Sequence, residues 1–218
     1  MVKTLLNKEL KLATPLITYI FLLFTLMTFI PGYPILCGAF FVCFGIFQSY
    51  QYARESNDIS YSILLPVSKR DIVKAKYLSA SIIQAAAFSL FVLWTAVRMI
   101  LLKDISVYAN NVMMSANLVF LAFVVLIFAA FNMLFIGGFF KTAYNIGKPF
   151  IKFIVVAFLI IALAEAVHHF PNMAWLNDVS GKALYRHFII LFLAMIIYGA
   201  TNFMSCKISI ANFEILDI

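Results

Sequence analysis

Apolar residues in this chain fall into six long runs, at about 15–30, 35–52, 77–102, 115–140, 150–170 and 187–205. The runs are continuous rather than alternating, which predicts helices and not the strands of a membrane barrel. A bilayer core of about 30 Å needs about 20 helical residues, and the last four runs reach that length. The first two are shorter, and only Pro31-Gly32-Tyr33-Pro34 separates them. They form either two short spans joined by a tight outer turn or one re-entrant hairpin. Both arrangements return the chain to the same side, and six spans are the expectation. Lysines followed by an apolar run resemble a secretory leader, but no small-x-small site follows Ile30 and further spans come after it. The first run therefore reads as a retained helix.

Composition sharpens the class. The chain is 65% hydrophobic and 11% charged, with 24 Phe among 218 residues. Soluble domains carry about 25% charged residues. A soluble fold, a disordered chain and a disulfide scaffold are all excluded, leaving an all-α polytopic membrane protein in one domain, 1–218. Cys37, Cys43 and Cys206 lie in or at the end of apolar runs and read as small apolar fillers.

The formal charge of +7 records orientation rather than nucleic-acid binding. Lys3, Lys8, Lys11, Arg54, Lys69, Arg70, Lys74, Lys76, Lys141, Lys148, Lys152 and Lys207 fall on one side of a six-span layout. Arg98, Lys103, Lys182 and Arg186 fall on the other. The positive-inside rule places both termini and the 54–76 segment in the cytoplasm. Residues 1–13 predict an amphipathic helix in the membrane interface, with Leu5, Leu6 and Leu10 on one arc and Lys3, Lys8 and Lys11 toward anionic head groups. Glu9 interrupts the apolar arc, so it either pairs with a basic residue of a neighbouring loop or tilts the helix.

Catalytic signatures are missing from the sequence. It contains no GxxxxGK[ST] phosphate loop, no HExxH and no GxSxG. Adjacent His168 and His169 would point about 100° apart on a helix and cannot chelate one metal together. The expectation is a non-enzyme with no cofactor or metal of its own.

The segment between the second and third runs is the most informative. Ser68 and Asp71 form a variant capping box, and Pro66 ends any preceding helix, so a new helix starts at Lys69. Residues 59–65 are then a separate apolar piece on the cytoplasmic side. Leu65, Pro66, Val67, Ser68, Arg70, Ile72, Val73, Lys76 and Tyr77 give a pattern that resembles the first cytoplasmic loop of ABC-2 type permeases. The resemblance is to a compact bacterial six-span group that includes the permease subunits of phenol-soluble modulin exporters. The opening 5–10, Leu-Leu-Asn-Lys-Glu-Leu, is similar to the start of that group.

The resemblance implies a bacterial cytoplasmic membrane location and a pair of permease subunits, as a homo- or heterodimer. It also implies two separate ATPase subunits that bind ATP and Mg. The short helix before Pro66 would be the coupling helix, with Ile63, Leu64 and Leu65 as an apolar knob and Asp58, Lys69 and Arg70 as charged flanks. Exported amphipathic peptides or other hydrophobic compounds are the implied cargo.

Polar residues within the apolar runs are candidates for the translocation path. Arg98 lies about 31 Å along a helix from Tyr77, and Glu165 about 22 Å from Phe150. Glu165 is expensive in lipid unless paired or wetted, with Arg98, Lys182, Arg186 and His168 as expected partners. Asn132 and Asn202 are expected to bond between helices, and Gly137, Gly138 and Gly199 to allow close approach or a kink. The competing reading is a non-transporting membrane module, such as a peptide-sequestering immunity protein or a sensor.

Overall fold

The computed structural model describes residues 2–109, 111–142, 145–179 and 182–216. These are helical and contain no strand. In chain order they form α1 (Val2–Ala13), α2 (Leu16–Phe29), α3 (Cys37–Glu55), α4 (Asp58–Leu64), α5 (Lys69–Leu101), α6 (Ser106–Ala109), α7 (Leu118–Phe139), α8 (Gly147–Val167) and α9 (Leu184–Ile215).

Four helices, α5, α7, α8 and α9, are long and apolar enough to cross a membrane. Helices α1 and α2 meet the same test only as a pair bent by 87°. The expectation of six spans is therefore met in four helices, or five counting the bent pair. Helix α3 has 19 residues, but Gln48, Ser49, Gln51, Arg54 and Glu55 dilute its C-terminal end. Helices α5 and α9 run 33 and 32 residues, roughly 50 Å each. Both outrun a bilayer core, and their extra turns build the face described below.

Helix α2 solves the problem of a short apolar run. Residues Phe21–Phe29 form a 3-10 helix, which rises about 2.0 Å per residue against 1.5 Å for an α-helix. The fourteen residues of α2 thus reach about 25 Å rather than 21 Å. Thr25 and Thr28 donate to the carbonyls three residues back, at 2.8 and 2.7 Å. Those carbonyls therefore find partners within the tighter winding.

Helix α7 is the centre. In its most apolar window 72% of residues are buried, against 33%, 28% and 11% for α5, α8 and α9. It is apolar all round, as a helix surrounded by others must be. Asn117 caps it by accepting from the amides of Val119 and Phe120 at 2.9 and 3.0 Å. The same side chain donates to Leu176 O at 2.8 Å, tying the loop before α9 to the start of α7. Phe131, Phe135 and Phe153 are fully buried, and Phe47 stacks on Phe150 with centroids 3.9 Å apart. Phe158, Phe188, Phe192 and Phe203 are exposed on the outside, where lipid tails would meet them.

Glycines set several close approaches. A Cβ at Gly45 would lie 2.5 Å from Phe21 Cβ, and one at Gly137 would lie 2.7 Å from Ser205 Oγ. Gly138 likewise faces Pro149, whereas Gly199, expected to do the same, has open space around it.

Candidate functional site

Helices α1, α3, α4 and the start of α5 meet in a compact face at one end of the bundle. Asn57, in the left-handed conformation at φ 53°, turns the chain out of α3 and into α4. Leu65 is extended, Pro66 follows, and α5 starts at Lys69 with Ser68 Oγ accepting from the Asp71 amide at 3.1 Å. The expected short helix, break and cap are all present.

Helix α4 has two faces. Ile59 and Ser62 are buried and Ile63 packs half-buried against the core. Tyr61, Leu64 and Leu65 are 67%, 81% and 50% exposed. Positions 61, 64 and 65 are i, i+3 and i+4, one stripe of a helix. The outward knob is therefore Tyr61, Leu64 and Leu65; Ile63, expected in it, belongs to the inner face.

Beneath α4 lies a buried ion cluster. Lys76 Nζ is 2.8 Å from Glu9 Oε2 and 3.4 Å from Asp58 Oδ2. Lys8 pairs with Asp58 Oδ1 and with Glu9 Oε1, and donates to Ser62 Oγ at 2.8 Å. Lys76 also lies over the Tyr50 ring at 5.6 Å. Two cations and two carboxylates balance, and they join α1, α3, α4 and α5 at one point. Burial pushes the Asp58 carboxyl up, but Lys76 and Lys8 outweigh it and hold it below the usual carboxylate range. Glu9 thus pairs across to Lys76 in the first turns of α5. Two expectations need correction. Asp58 is engaged inside the cluster rather than at a charged rim, and Lys8 is half-buried there rather than directed at head groups.

The remaining loop residues divide the same way. Lys69 Nζ donates to Leu216 O and lies 5.9 Å from the Phe213 ring centroid, fastening the end of α9. Arg70, Pro66 and Ser68 stay exposed, and Asp71 is half-exposed. Tyr77, next to Lys76, reaches the other way, with its hydroxyl 2.7 and 2.9 Å from Ser205 and Ser209 of α9.

Deeper in the bundle, α5, α7 and α9 share a polar network. Gln84 and Asn132 exchange amide hydrogen bonds at 2.9 and 3.0 Å. Tyr198 donates to Gln84 Oε1 at 2.9 Å, and Asn132 donates to Asn202 Oδ1 at 3.4 Å. Asn202 donates to Ser81 Oγ at 3.1 Å. Asn132 opens the π-helical turn Phe131–Ile136. Such a bulge widens the ladder, and Asn132 O also accepts from Ser205 Oγ at 3.1 Å. The interhelical bond between Asn132 and Asn202 matches expectation. Gln84 and Tyr198 were missed, although Gln84 is a lone amide in an apolar run and could have been flagged on that ground.

At the opposite end of the bundle Arg98 and Glu165 do not meet. Arg98 is buried, donates to Thr28 O at 2.6 Å and lies 4.5 Å from the Tyr108 ring centroid. Tyr108 in turn donates to Phe29 O at 3.0 Å. These contacts close the exposed carbonyls at the end of the 3-10 helix. Glu165 Oε2 accepts from the Met114 amide at 2.8 Å, and Oε1 is buried with no protein partner. Among the described residues no Lys or Arg forms an ion pair with it, contrary to expectation. His168 turns its Nε2 to Val112 O at 3.2 Å instead of bonding Glu165.

The matches to known proteins agree with this layout. No curated protein and no solved structure matches the chain. A family model described as ABC-2 family transporter protein matches residues 4–209, which takes in the ion cluster, the α4 knob, the polar network, the long helices α5, α7 and α8 and most of α9. The chain belongs to the ABC-2 transporter family, a family of membrane transport components that are not themselves catalytic and whose membership implies association with ABC ATPase subunits.

Proposed function

We propose that this chain is the six-span permease of a bacterial cytoplasmic-membrane exporter for amphipathic peptides or other hydrophobic compounds. Two copies of a separate subunit hydrolyse ATP, and a second permease, identical or related, completes the path. The observation that carries this reading is the Tyr61–Leu64–Leu65 knob. Three large apolar side chains stand exposed at the tip of a helix whose other face is clamped by the buried cluster. An apolar knob with Arg70 at its edge fits a dry groove with a charged rim. Burying each such side chain is worth roughly 1.5–3 kcal/mol. Closure of the ATPases on ATP would push on α4, and the ion cluster would pass the displacement to α1 and α5 together. The polar network at Gln84, Asn132, Tyr198 and Asn202 joins the helices that must then shift.

Co-purification of the tagged chain from its host membrane tests this. An ABC ATPase must accompany the native chain and be lost with Leu64→Asp, because an unpaired carboxylate would enter the groove. The variant must still insert and remain monodisperse. Full ATPase retention by Leu64→Asp would remove α4 as the coupling element.

A further inference from the structure

A groove of about 570 Å³ opens between the cytoplasmic end of α7, the start of α8 and the facing side of α9. Its floor is made by Gly137 and Gly138, where missing side chains let α9 and Pro149 approach α7. Met133, Met204 and Ile208 line its walls, and Met133, Met204 and Ile208 are each more than half exposed. The groove therefore opens sideways, toward where lipid tails lie. Its mouth holds three cations, Lys141, Lys148 and Lys152. All three are exposed, and among the described residues none forms an ion pair. Thr142 and Asn145 add polar groups at the same level.

We propose that this groove binds an anionic phospholipid of the cytoplasmic leaflet, with its phosphate at the three lysines and an acyl chain along Met133, Met204 and Ile208. Charge complementarity selects the occupant. Three unpaired lysines beside an apolar wall suit a ligand with an anionic head and a hydrocarbon tail. Met133 lies in the π-helical turn of α7 and Lys141 two residues beyond its end, so they stand roughly two helical turns, about 10 Å, apart, which spans a head group and the first acyl carbons. A zwitterionic lipid would bring a cation to the same lysines and fit poorly. A peptide or second subunit would have no need of three free cations at the mouth. The inference rests on the cytoplasmic orientation of this end. It does not depend on an ATPase, so its failure would leave the reading of α4 untouched.

The test uses the full-length chain purified in mild detergent and examined by native mass spectrometry with equal amounts of dioleoyl phosphatidylglycerol and dioleoyl phosphatidylcholine. Retained phosphatidylglycerol should exceed phosphatidylcholine by on the order of a hundredfold, since each of the three lysines near an anionic head group strengthens binding roughly fivefold. The triple substitution Lys141→Gln, Lys148→Gln and Lys152→Gln should abolish the preference. Removing two exposed lysines at the opposite end of the bundle, Lys103→Gln and Lys182→Gln, should preserve it. Single variants such as Lys148→Gln, at an exposed site that packing does not need, should each lower the preference severalfold. Equal retention of the two lipids, an undiminished preference in the triple variant, or displacement of phosphatidylglycerol by excess inorganic phosphate would each overturn the proposal.

Discussion

Replacing Lys76 by Met removes the cation that two buried carboxylates share. Lys76 is 3% exposed, and the Glu9 and Asp58 side chains are 7% and 14% exposed. In the native cluster the charges balance two against two. After Lys76→Met only Lys8 faces two carboxylates, so one negative charge stays buried without a partner. Losing one member of a buried pair costs roughly 3–5 kcal/mol. For a chain of this size about 2–4 °C of melting temperature goes with each kcal/mol, so a fall on the order of 10 °C is expected for the purified chain in detergent. Trypsin should also cut faster at Lys3 and Lys11 as α1 detaches. The decisive comparison is the double variant Glu9→Leu with Lys76→Met, which leaves Lys8 and Asp58 balanced. Replacing a whole buried pair by apolar groups is often close to neutral, so the double variant should recover most of the loss. If Lys76→Met melts within about 2 °C of the native chain, or the two substitutions simply add, the cluster is not the clamp described here.

Three further outcomes follow from the geometry. The Asp58 carboxyl is held below its ordinary 3.8 in the folded chain, so its contribution is complete above that value and is lost as pH falls through the lower folded one; detergent melts should be flat for this group from pH 7 to 5 and decline only below about pH 4. Gly45→Ala places a Cβ 2.5 Å from Phe21 Cβ and should cost roughly 1–3 kcal/mol in the same melt, while Gly199→Ala, with nothing within 4 Å, should leave the midpoint unchanged. Glu165→Gln keeps an oxygen for the Met114 amide and should fold normally but lose transport in a vesicle efflux assay, whereas Glu165→Leu orphans that amide and should destabilise the chain by roughly 1–3 kcal/mol; equal stability of the two would remove Met114 as the reason for Glu165's position.

Much of the α4 segment was legible because its determinants are local. Pro66 must break a helix, Ser68 must cap the next one, and Lys69 begins it as read. Even the corrected knob was within reach, since the spacing of Tyr61, Leu64 and Leu65 follows from the 3.6-residue repeat. The translocation candidates were less legible. Asn132 and Asn202 were found as polar exceptions in apolar runs, but their partner Gln84 was passed over. Glu165 and Arg98 were paired on depth alone. Depth along separate helices gives height in the membrane and not direction around the bundle, and Arg98 faces the end of α2 instead.

The sequence by itself determined the membrane class, the loop that carries α4 and the lack of a phosphate loop in this chain. Each rests on composition, on a motif read directly, or on contacts a few residues apart. Only the tertiary structure decided that Glu9 meets Lys76, 67 residues away, that Tyr77 reaches Ser209, and that three lysines surround one groove. Those pairings depend on how helices rotate and tilt against one another. In lipid no hydrophobic force sets that rotation. It is set by glycine contacts such as Gly45 on Phe21, by the stretched 3-10 turn of α2, and by polar groups that must find one another.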